Sequence, residues 1–260
     1  MRYAIMSGKR IHCQKEDSLK KIKLCAAGLM IWSLVMAGLF VFSQGTEIKP
    51  VTIGQAMPDI TLPTYQGGTF TLSSLKGKNV MLIFPRGFAA ETRWCTIDNY
   101  KYAELVDLEK SAEIRKKYNV EVVFVFPYGA DVVKQWVESN PEQLEKIKGW
   151  KNPPDPTKLD EQGKARMDRW RTFYPKNFGM EKGKVPTPFP LLIDAERKIS
   201  KGLGLFTTDW GGSKVDQCIT SVFIVDKKGI CQFKYIGQST TDRPEYEILF
   251  KTLDRLNKGD

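Results

Sequence analysis

The residue of this 260-residue chain that is best placed to do chemistry is Cys95, because a thiol that loses its proton becomes a nucleophile. An apolar run at 80–84 predicts a strand buried on both faces, and a helical pattern begins near Cys95. The cysteine is therefore expected where a loop enters a helix, at the end of a central strand. Backbone N–H groups and the positive end of the helix dipole converge there, and both lower the pKa of a thiol.

The residue types that are missing narrow the chemistry further. The only histidine is His12, so the globular part lacks the base of Cys–His and Ser–His–Asp catalysis. Five cysteines, at positions 13, 25, 95, 218 and 231, form no C-x-x-C pair and no zinc spacing. The sequence therefore predicts no metal site and no cofactor, and leaves thiol chemistry at Cys95 as the chemical hypothesis.

Charge and hydropathy distinguish two N-terminal segments from the globular part of the chain: a basic tail and an uncharged apolar stretch. The net charge is +10, and the first 23 residues hold seven Lys and Arg against two Asp and Glu. An excess concentrated in so short a basic tail argues against a nucleic-acid-binding domain and for a membrane-topology signal.

Residues 24–43 carry no charge, and about 20 helical residues span the roughly 30 Å of bilayer hydrocarbon. We predict a transmembrane anchor in contact with lipid, with the N-terminus cytoplasmic and the globular domain outside, on the periplasmic side. A cleaved signal peptide is the alternative.

The remainder reads as a linker at 44–53 and one α/β domain at 54–258. Short strands flank a Gly67-Gly68 turn, and further strands are predicted at 80–84, 120–126, 189–194, 220–226 and 230–236. Helices are predicted from 95 to about 118, after an Asp131 N-cap, at 196–203 and at 243–256. This order predicts a mixed sheet that is flanked by helices, parallel at first and closed by an antiparallel hairpin.

Residues 140–187 break this pattern. The segment is polar, basic and proline-bearing, yet it contains Trp150, Trp170, Phe173, Tyr174 and Phe178. So many aromatic residues are unusual in a disordered linker. We predict an insertion, partly helical around 158–173, that packs on the domain or on a partner protein.

Several sequence motifs resemble a known family. They are the opening GQAMPD with a later Gly77-Lys78, the strand end FPRG at 84–87, and the closing SVFIVDKKG and FKYIGQSTTDRP. Together they are similar to the thioredoxin fold in its peroxiredoxin-like branch, the alkyl hydroperoxide reductase/thiol-specific antioxidant (redoxin) class. The resemblance implies a thioredoxin-like mixed sheet and a reactive cysteine at the first helix.

The same resemblance assigns roles around Cys95 and shows departures. Related redoxins carry W-C-P-x-C where this chain has Trp94-Cys95-Thr96-Ile97-Asp98, so Asp98 replaces the second cysteine and is expected to raise the pKa of Cys95. Thr92 matches a hydroxyl that orients peroxide in related proteins, whereas Phe88 replaces the proline of that motif.

Arg86 is a candidate to stabilise a thiolate or a peroxide oxygen, although the loop between Arg86 and Cys95 is longer than is usual in the family. Thr220 stands where such proteins place a cis-proline or an arginine, so the group that normally faces the sulfur is expected to be absent.

Two functions stay open on this basis. In the first, Cys95 is a peroxidatic or mixed-disulfide thiol assisted by Thr92 and Arg86, and an external thiol or Cys218 resolves its oxidised form. Cys231 is assigned to the core. In the second, the domain is a redox-inert scaffold or an accessory subunit of a membrane protein complex, bound through the transmembrane helix and the 140–187 insertion.

Overall fold

The computed structural model describes residues 49–259. The predicted basic tail, the predicted membrane span and half of the predicted linker lie outside the described residues. Between residues 49 and 259, no helix combines the length and the apolar character needed to cross a bilayer.

The described chain contains eleven strands and six α-helices. The strands are β1 Thr61–Pro63, β2 Thr69–Thr71, β3 Asn79–Phe84, β4 Phe88–Ala90, β5 Arg93–Trp94, β6 Val120–Phe126, β7 Leu191–Ile193, β8 Phe206–Thr207, β9 Gln217–Cys218, β10 Ser221–Val225 and β11 Cys231–Ile236. The helices are α1 Thr96–Ala112, α2 Ile114–Lys117, α3 Ala130–Lys151, α4 Glu161–Phe173, α5 Lys198–Gly202 and α6 Tyr246–Lys258.

Five of the strands form the central sheet, in the order β11-β10-β3-β6-β7. The β3–β6 and β6–β7 pairs are parallel, whereas β10 runs antiparallel to both β3 and β11. This is the mixed sheet that the sequence predicts. Because β3 lies at its centre, the loop that follows β3 opens at the middle of the sheet edge.

Both faces of the sheet are covered, which explains why β3 and β6 are almost uninterrupted apolar runs. On one face, Met81 and Ile83 pack with residues of α1, α3 and α6. On the other, Val80, Leu82 and Phe84 pack with residues of the β1–β2 hairpin and α5. Two core layers therefore hold the end of β3 in a fixed position.

Three predicted helix boundaries are wrong. The first helix ends at Ala112, because Glu113 adopts a left-handed backbone (φ +46°) before α2 begins. The N-cap of α3 is Gly129, and Asp131 lies in the first turn. The closing helix begins at Tyr246, after Pro244, since a residue that precedes proline is disfavoured in helical conformation.

The predicted break at 140 is also wrong, because α3 continues through Pro141 to Lys151. Proline lacks the N–H that would bond to the carbonyl of Val137. The Asn140 side chain replaces it, since its Nδ2 lies 3.1 Å from that carbonyl oxygen. Leu144 and Ile147 then extend the buried face of the helix. The irregular part of the insertion therefore starts only after residue 151, and it contains α4 close to the predicted position.

Candidate thiol site

Cys95 lies where the sequence predicts, at the junction between a loop and a helix. It is the N-cap residue of α1, and its carbonyl accepts the backbone N–H groups of Asp98 and Asn99. Its own N–H donates to the carbonyl of Gly87 over 2.8 Å, which ties the helix start to the loop after β3. The sulfur is thus fixed at the positive end of a 17-residue helix.

A guanidinium group from the far end of the chain faces the sulfur. Arg243 Nη2 lies 3.4 Å from Cys95 Sγ and 2.7 Å from Asp98 Oδ1, while Arg243 Nε lies 2.9 Å from the same oxygen. The Arg243 and Asp98 side chains are only 6% and 4% exposed. The three side chains form a buried cluster in which one guanidinium contacts both a thiol and a carboxylate.

Asp98, which stands where related redoxins carry their second cysteine, has a structural role here. One carboxylate oxygen accepts from Arg243, and the other accepts the backbone N–H of Gly87 over 3.2 Å. The carboxylate therefore links helix α1, the loop after β3 and the Arg243 loop. By fixing the guanidinium on two bonds, Asp98 aims the remaining N–H at Cys95.

The pKa of Cys95 is raised from its ordinary value of 9.0 to about 11. Burial is the main cause, and the neighbouring negative charge of Asp98 adds to it as the sequence predicts. The charges of Arg243 and Arg86 and the backbone N–H of Asp98 act in the opposite direction. The expected lowering by the helix start is thus outweighed by desolvation, and the thiol holds its proton at neutral pH.

Cys95 nevertheless borders an open groove of about 600 Å³. The groove is formed by the β4–β5 hairpin, the start of α1, the C-terminal half of α3 and the loop at Thr240 and Thr241. In the hairpin, the rings of Phe88 and Trp94 stack at 3.9 Å. The groove has room for a small organic molecule beside Cys95, which is only 3% exposed.

The two residues predicted to assist the thiol, Arg86 and Thr92, lie in different places. Arg86 lines the groove and is buried, with Nε 2.7 Å from Gln217 Oε1 and Nη2 2.6 Å from Ser213 Oγ. Thr92 is exposed in the turn between β4 and β5 and does not line the groove. The structure therefore brings Arg86 towards Cys95 and leaves the Thr92 hydroxyl at the surface.

The two other cysteines of the described chain lie in the core layer on the opposite face of the sheet. Cys218 and Cys231 are fully buried there, and Cys95, Cys218 and Cys231 are all free thiols. Burial raises the pKa of both Cys218 and Cys231. The assignment of Cys231 to the core is confirmed. Cys218 belongs to a different apolar cluster from Cys95.

Thr220 is buried beside the cluster rather than over the sulfur. With Asp98 and Arg243 it lines a cavity of about 30 Å³, and its hydroxyl has no hydrogen-bond partner within residues 49–259. Position 220 carries neither the cis-proline nor the arginine that the resemblance places there. A different group, Arg243 from another loop, faces the sulfur.

The insertion forms a wall of the site, so its packing on the domain is confirmed. The Tyr174 hydroxyl lies 3.4 Å from Thr96 Oγ1, and the Tyr100 ring contacts the rings of Tyr174 and Phe178 at 4.8 and 5.1 Å. Tyr174 and Leu144 share the apolar cluster of Cys95. This packing contributes to the desolvation that raises the thiol pKa.

Sequence reasoning did not identify Arg243 as a site residue. The predicted closing helix begins at this arginine, with no site role for its side chain. The signal was its position directly before Pro244, which keeps it out of the helix and in a loop. That loop follows the hairpin of the central sheet, so it returns towards the end of β3.

A family model described as the AhpC/TSA family matches residues 53–234. No curated protein matches the chain. Among solved structures, a cysteine-to-serine mutant of peroxiredoxin 6 from Arenicola marina is similar in fold. Its TM-score is 0.51 at 15% identity, over 80% of this chain and 74% of that one. AhpC of Mycobacterium bovis gives a TM-score of 0.47 at 16% identity, over 81% of this chain and 95% of that one.

Proposed function

Because the chain belongs to the AhpC/TSA family, we propose that it is a thiol-dependent peroxidase with Cys95 as its single reacting cysteine. The observation that carries the proposal is the position of the sulfur. It lies at a helix N-terminus, 3.4 Å from the Arg243 guanidinium, and it borders an open groove.

The reaction begins when the Cys95 thiolate attacks the distal oxygen of a hydroperoxide. A sulfur–oxygen bond forms, the oxygen–oxygen bond breaks, and the departing alkoxide takes the proton that the thiol has lost. The products are a sulfenic acid on Cys95 and an alcohol. Sulfur is oxidised by two electrons, and the peroxide is reduced by the same two.

Arg243 is the residue that stabilises this step. Negative charge moves from the sulfur towards the departing oxygen, and a fixed guanidinium beside the sulfur stabilises that charge. Asp98 positions Arg243 through two hydrogen bonds. Arg86 adds positive charge from the same side of the groove.

Reduction of the sulfenic acid needs thiols from outside the domain. One thiol forms a mixed disulfide with Cys95 and releases water, and a second thiol displaces Cys95 to yield a small-molecule disulfide. Cys218 is the internal alternative. Its backbone N–H bonds to the carbonyl of Arg86, next to the residue that holds Cys95, but its thiol lies in the opposite core layer.

The test is to measure peroxide-dependent oxidation of Cys95 by mass spectrometry, in the full chain and in Cys95→Ser, Cys218→Ser and Cys231→Ser. We expect Cys95→Ser to abolish turnover while its fold is retained, and the other two variants to keep it. The rate should rise with pH towards about 11, because the thiolate is the reacting form. If Cys95 resists a peroxide at every pH, the peroxidase proposal is wrong.

The second candidate is a redox-inert accessory subunit, and the raised pKa of Cys95 supports it. The insertion also leaves Trp150 and Phe173 39% and 40% exposed, which suits contact with another protein. This proposal includes the anchor at 24–43, with the domain on the periplasmic side. Purification in mild detergent separates the candidates, because a stable partner favours the subunit and a monomer counts against it.

A further inference from the structure

The groove over Cys95 carries more positive charge than the peroxide chemistry itself requires. Its basic lining residues are Arg86, Arg93 and Lys146, and no Asp or Glu of the described chain lines it. Its volume of about 600 Å³ falls in the range of sites for small organic ligands and greatly exceeds the size of hydrogen peroxide. Both features indicate a larger ligand that is negatively charged.

Arg86 gives the strongest indication, because it is a buried cation with neutral partners. It is 6% exposed, its hydrogen bonds go to Gln217 and Ser213, and its guanidinium lies 5.6 Å from the centre of the Trp210 ring. In residues 49–259 no carboxylate forms an ion pair with it. A buried charge is costly unless it is paired, so an anion in the groove would complete this site.

The other two basic residues of the groove, Lys146 and Arg93, differ in whether an acidic side chain already pairs with them. Lys146 is already paired with Glu142 at 2.7 Å, which offsets part of its charge. Arg93 is exposed on β5 and has no ion pair within the described part of the chain. Arg86 at the buried side and Arg93 at the exposed side are therefore the cations available to a ligand.

The remaining walls are apolar. Ala89, Trp94 and Ile97 line the groove near Cys95, and Trp150 extends the apolar surface outward, stacked on Trp170 at 5.2 Å. Trp150 lies in the part of α3 that continues beyond Pro141. The groove thus combines an apolar wall with cations.

We propose that the groove selects organic hydroperoxides that carry a carboxylate on an apolar carbon chain. The peroxide group reaches Cys95, the carbon chain lies along Trp94 and Trp150, and the carboxylate pairs with Arg93 at the exposed side while the buried Arg86 adds positive charge to the groove. This inference rests on the proposed peroxidase function and adds the class of its substrate. The reaction is unchanged, since Cys95 is oxidised to a sulfenic acid and the hydroperoxide is reduced to the hydroxy acid.

The first experiment compares an alkyl hydroperoxide that bears a carboxylate with its own methyl ester. Single-turnover oxidation of Cys95 is followed in the full chain at low and high salt. We expect the acid to react on the order of tenfold faster than the ester at low salt, and the ratio to fall at high salt as the charges are screened. Equal rates for acid and ester would overturn the proposal.

Arg93→Gln removes one cation of the groove, and Arg166→Gln is its matched control. Arg166 is an exposed arginine of α4 that does not line the groove. The ratio of acid to ester rates should fall towards one in Arg93→Gln, should be retained in Arg93→Lys and should be unchanged in Arg166→Gln. A ratio that survives Arg93→Gln and Arg86→Gln alike would show that these arginines do not select the substrate.

A binding measurement separates failure of this inference from failure of the peroxidase proposal. Octanoate is titrated into the Cys95→Ser variant, and methyl octanoate is titrated as the comparison. Binding is followed by tryptophan fluorescence, because Trp94 and Trp150 line the groove. Binding of octanoate alone supports the anion site even if Cys95 never reacts with peroxide. If octanoate does not bind, the substrate assignment is overturned. It is also overturned if the groove prefers negative charge only in the thiols that reduce oxidised Cys95 and not in the hydroperoxide.

Discussion

Cys95 and Cys218 are held by the same loop from two sides, yet their surroundings differ. The N–H of Cys95 donates to the carbonyl of Gly87, and that of Cys218 donates to the carbonyl of Arg86, over 2.8 and 3.1 Å. Cys95 faces Arg243 and borders the groove, whereas Cys218 is enclosed by the apolar side chains of the opposite core layer.

The two thiols differ in the charges around them and not in their burial. Burial is the leading cause of the raised pKa of both thiols. At Cys95 the charge of Asp98 adds to it, but two guanidinium groups and a backbone N–H oppose it. At Cys218 both charges that act, those of Asp194 and Asp98, add to it. Cys95 is therefore the one of the two buried sulfurs whose thiolate form is favoured by neighbouring positive charge.

Removing the Arg243 guanidinium should have the largest effect on the difference between Cys95 and Cys218. Arg243→Gln leaves Asp98 as a buried carboxylate without its ion pair, and breaking such a pair costs about 3–5 kcal/mol of the free energy of unfolding. It should also raise the pKa of Cys95 further, because the positive charge is lost. Urea denaturation and the pH dependence of thiol alkylation measure the two effects.

Arg255→Gln is the control for that experiment, because Arg255 is an exposed arginine of α6. It should leave both the stability and the Cys95 pKa unchanged. If Arg243→Gln behaves like this control, the distinction between Cys95 and Cys218 does not depend on the guanidinium.

The next effect concerns stability at alkaline pH. The folded protein holds the Cys95 proton more tightly than the unfolded chain, with a pKa of about 11 instead of 9.0. This contribution is fully present below pH 9.0 and is lost as the pH rises through 11. We expect the wild type to lose about 2–3 kcal/mol more than Cys95→Ala across that window.

Chemical denaturation of both proteins between pH 8 and pH 11 measures this loss. Comparison with Cys95→Ala cancels the titration of lysines and tyrosines, which the two proteins share. A stability difference that does not change with pH would mean that the folded state does not raise the pKa of Cys95.

The smallest effect is expected at the other sulfur. Cys218→Ala removes one buried atom from a packed apolar cluster and should lower the free energy of unfolding by about 1 kcal/mol. Oxidation of Cys95 should proceed at the wild-type rate, because no hydrogen bond joins the Cys218 thiol to the cluster of Cys95, Asp98 and Arg243. A lower rate in Cys218→Ala would mean that the two sulfurs act together.

Most of the fold follows from local patterns in the sequence. The apolar runs of β3 and β6 predict the central strands, and the apolar face of α6 predicts the closing helix, because side-chain periodicity must match the buried face of each element. The position of Cys95 at the end of β3 follows in the same way. Pro141 misled the prediction, because its missing N–H is replaced by a side-chain bond that periodicity does not reveal.

The sequence by itself thus determined where the thiol lies, since a strand, a loop and a helix N-terminus are set by neighbouring residues. Only the tertiary structure decided what surrounds the thiol. Arg243 comes from 148 positions further along the chain, and the insertion that helps to bury the sulfur folds back over it. Desolvation and long-range charge depend on which segments meet in space, and both together set the proton affinity of Cys95.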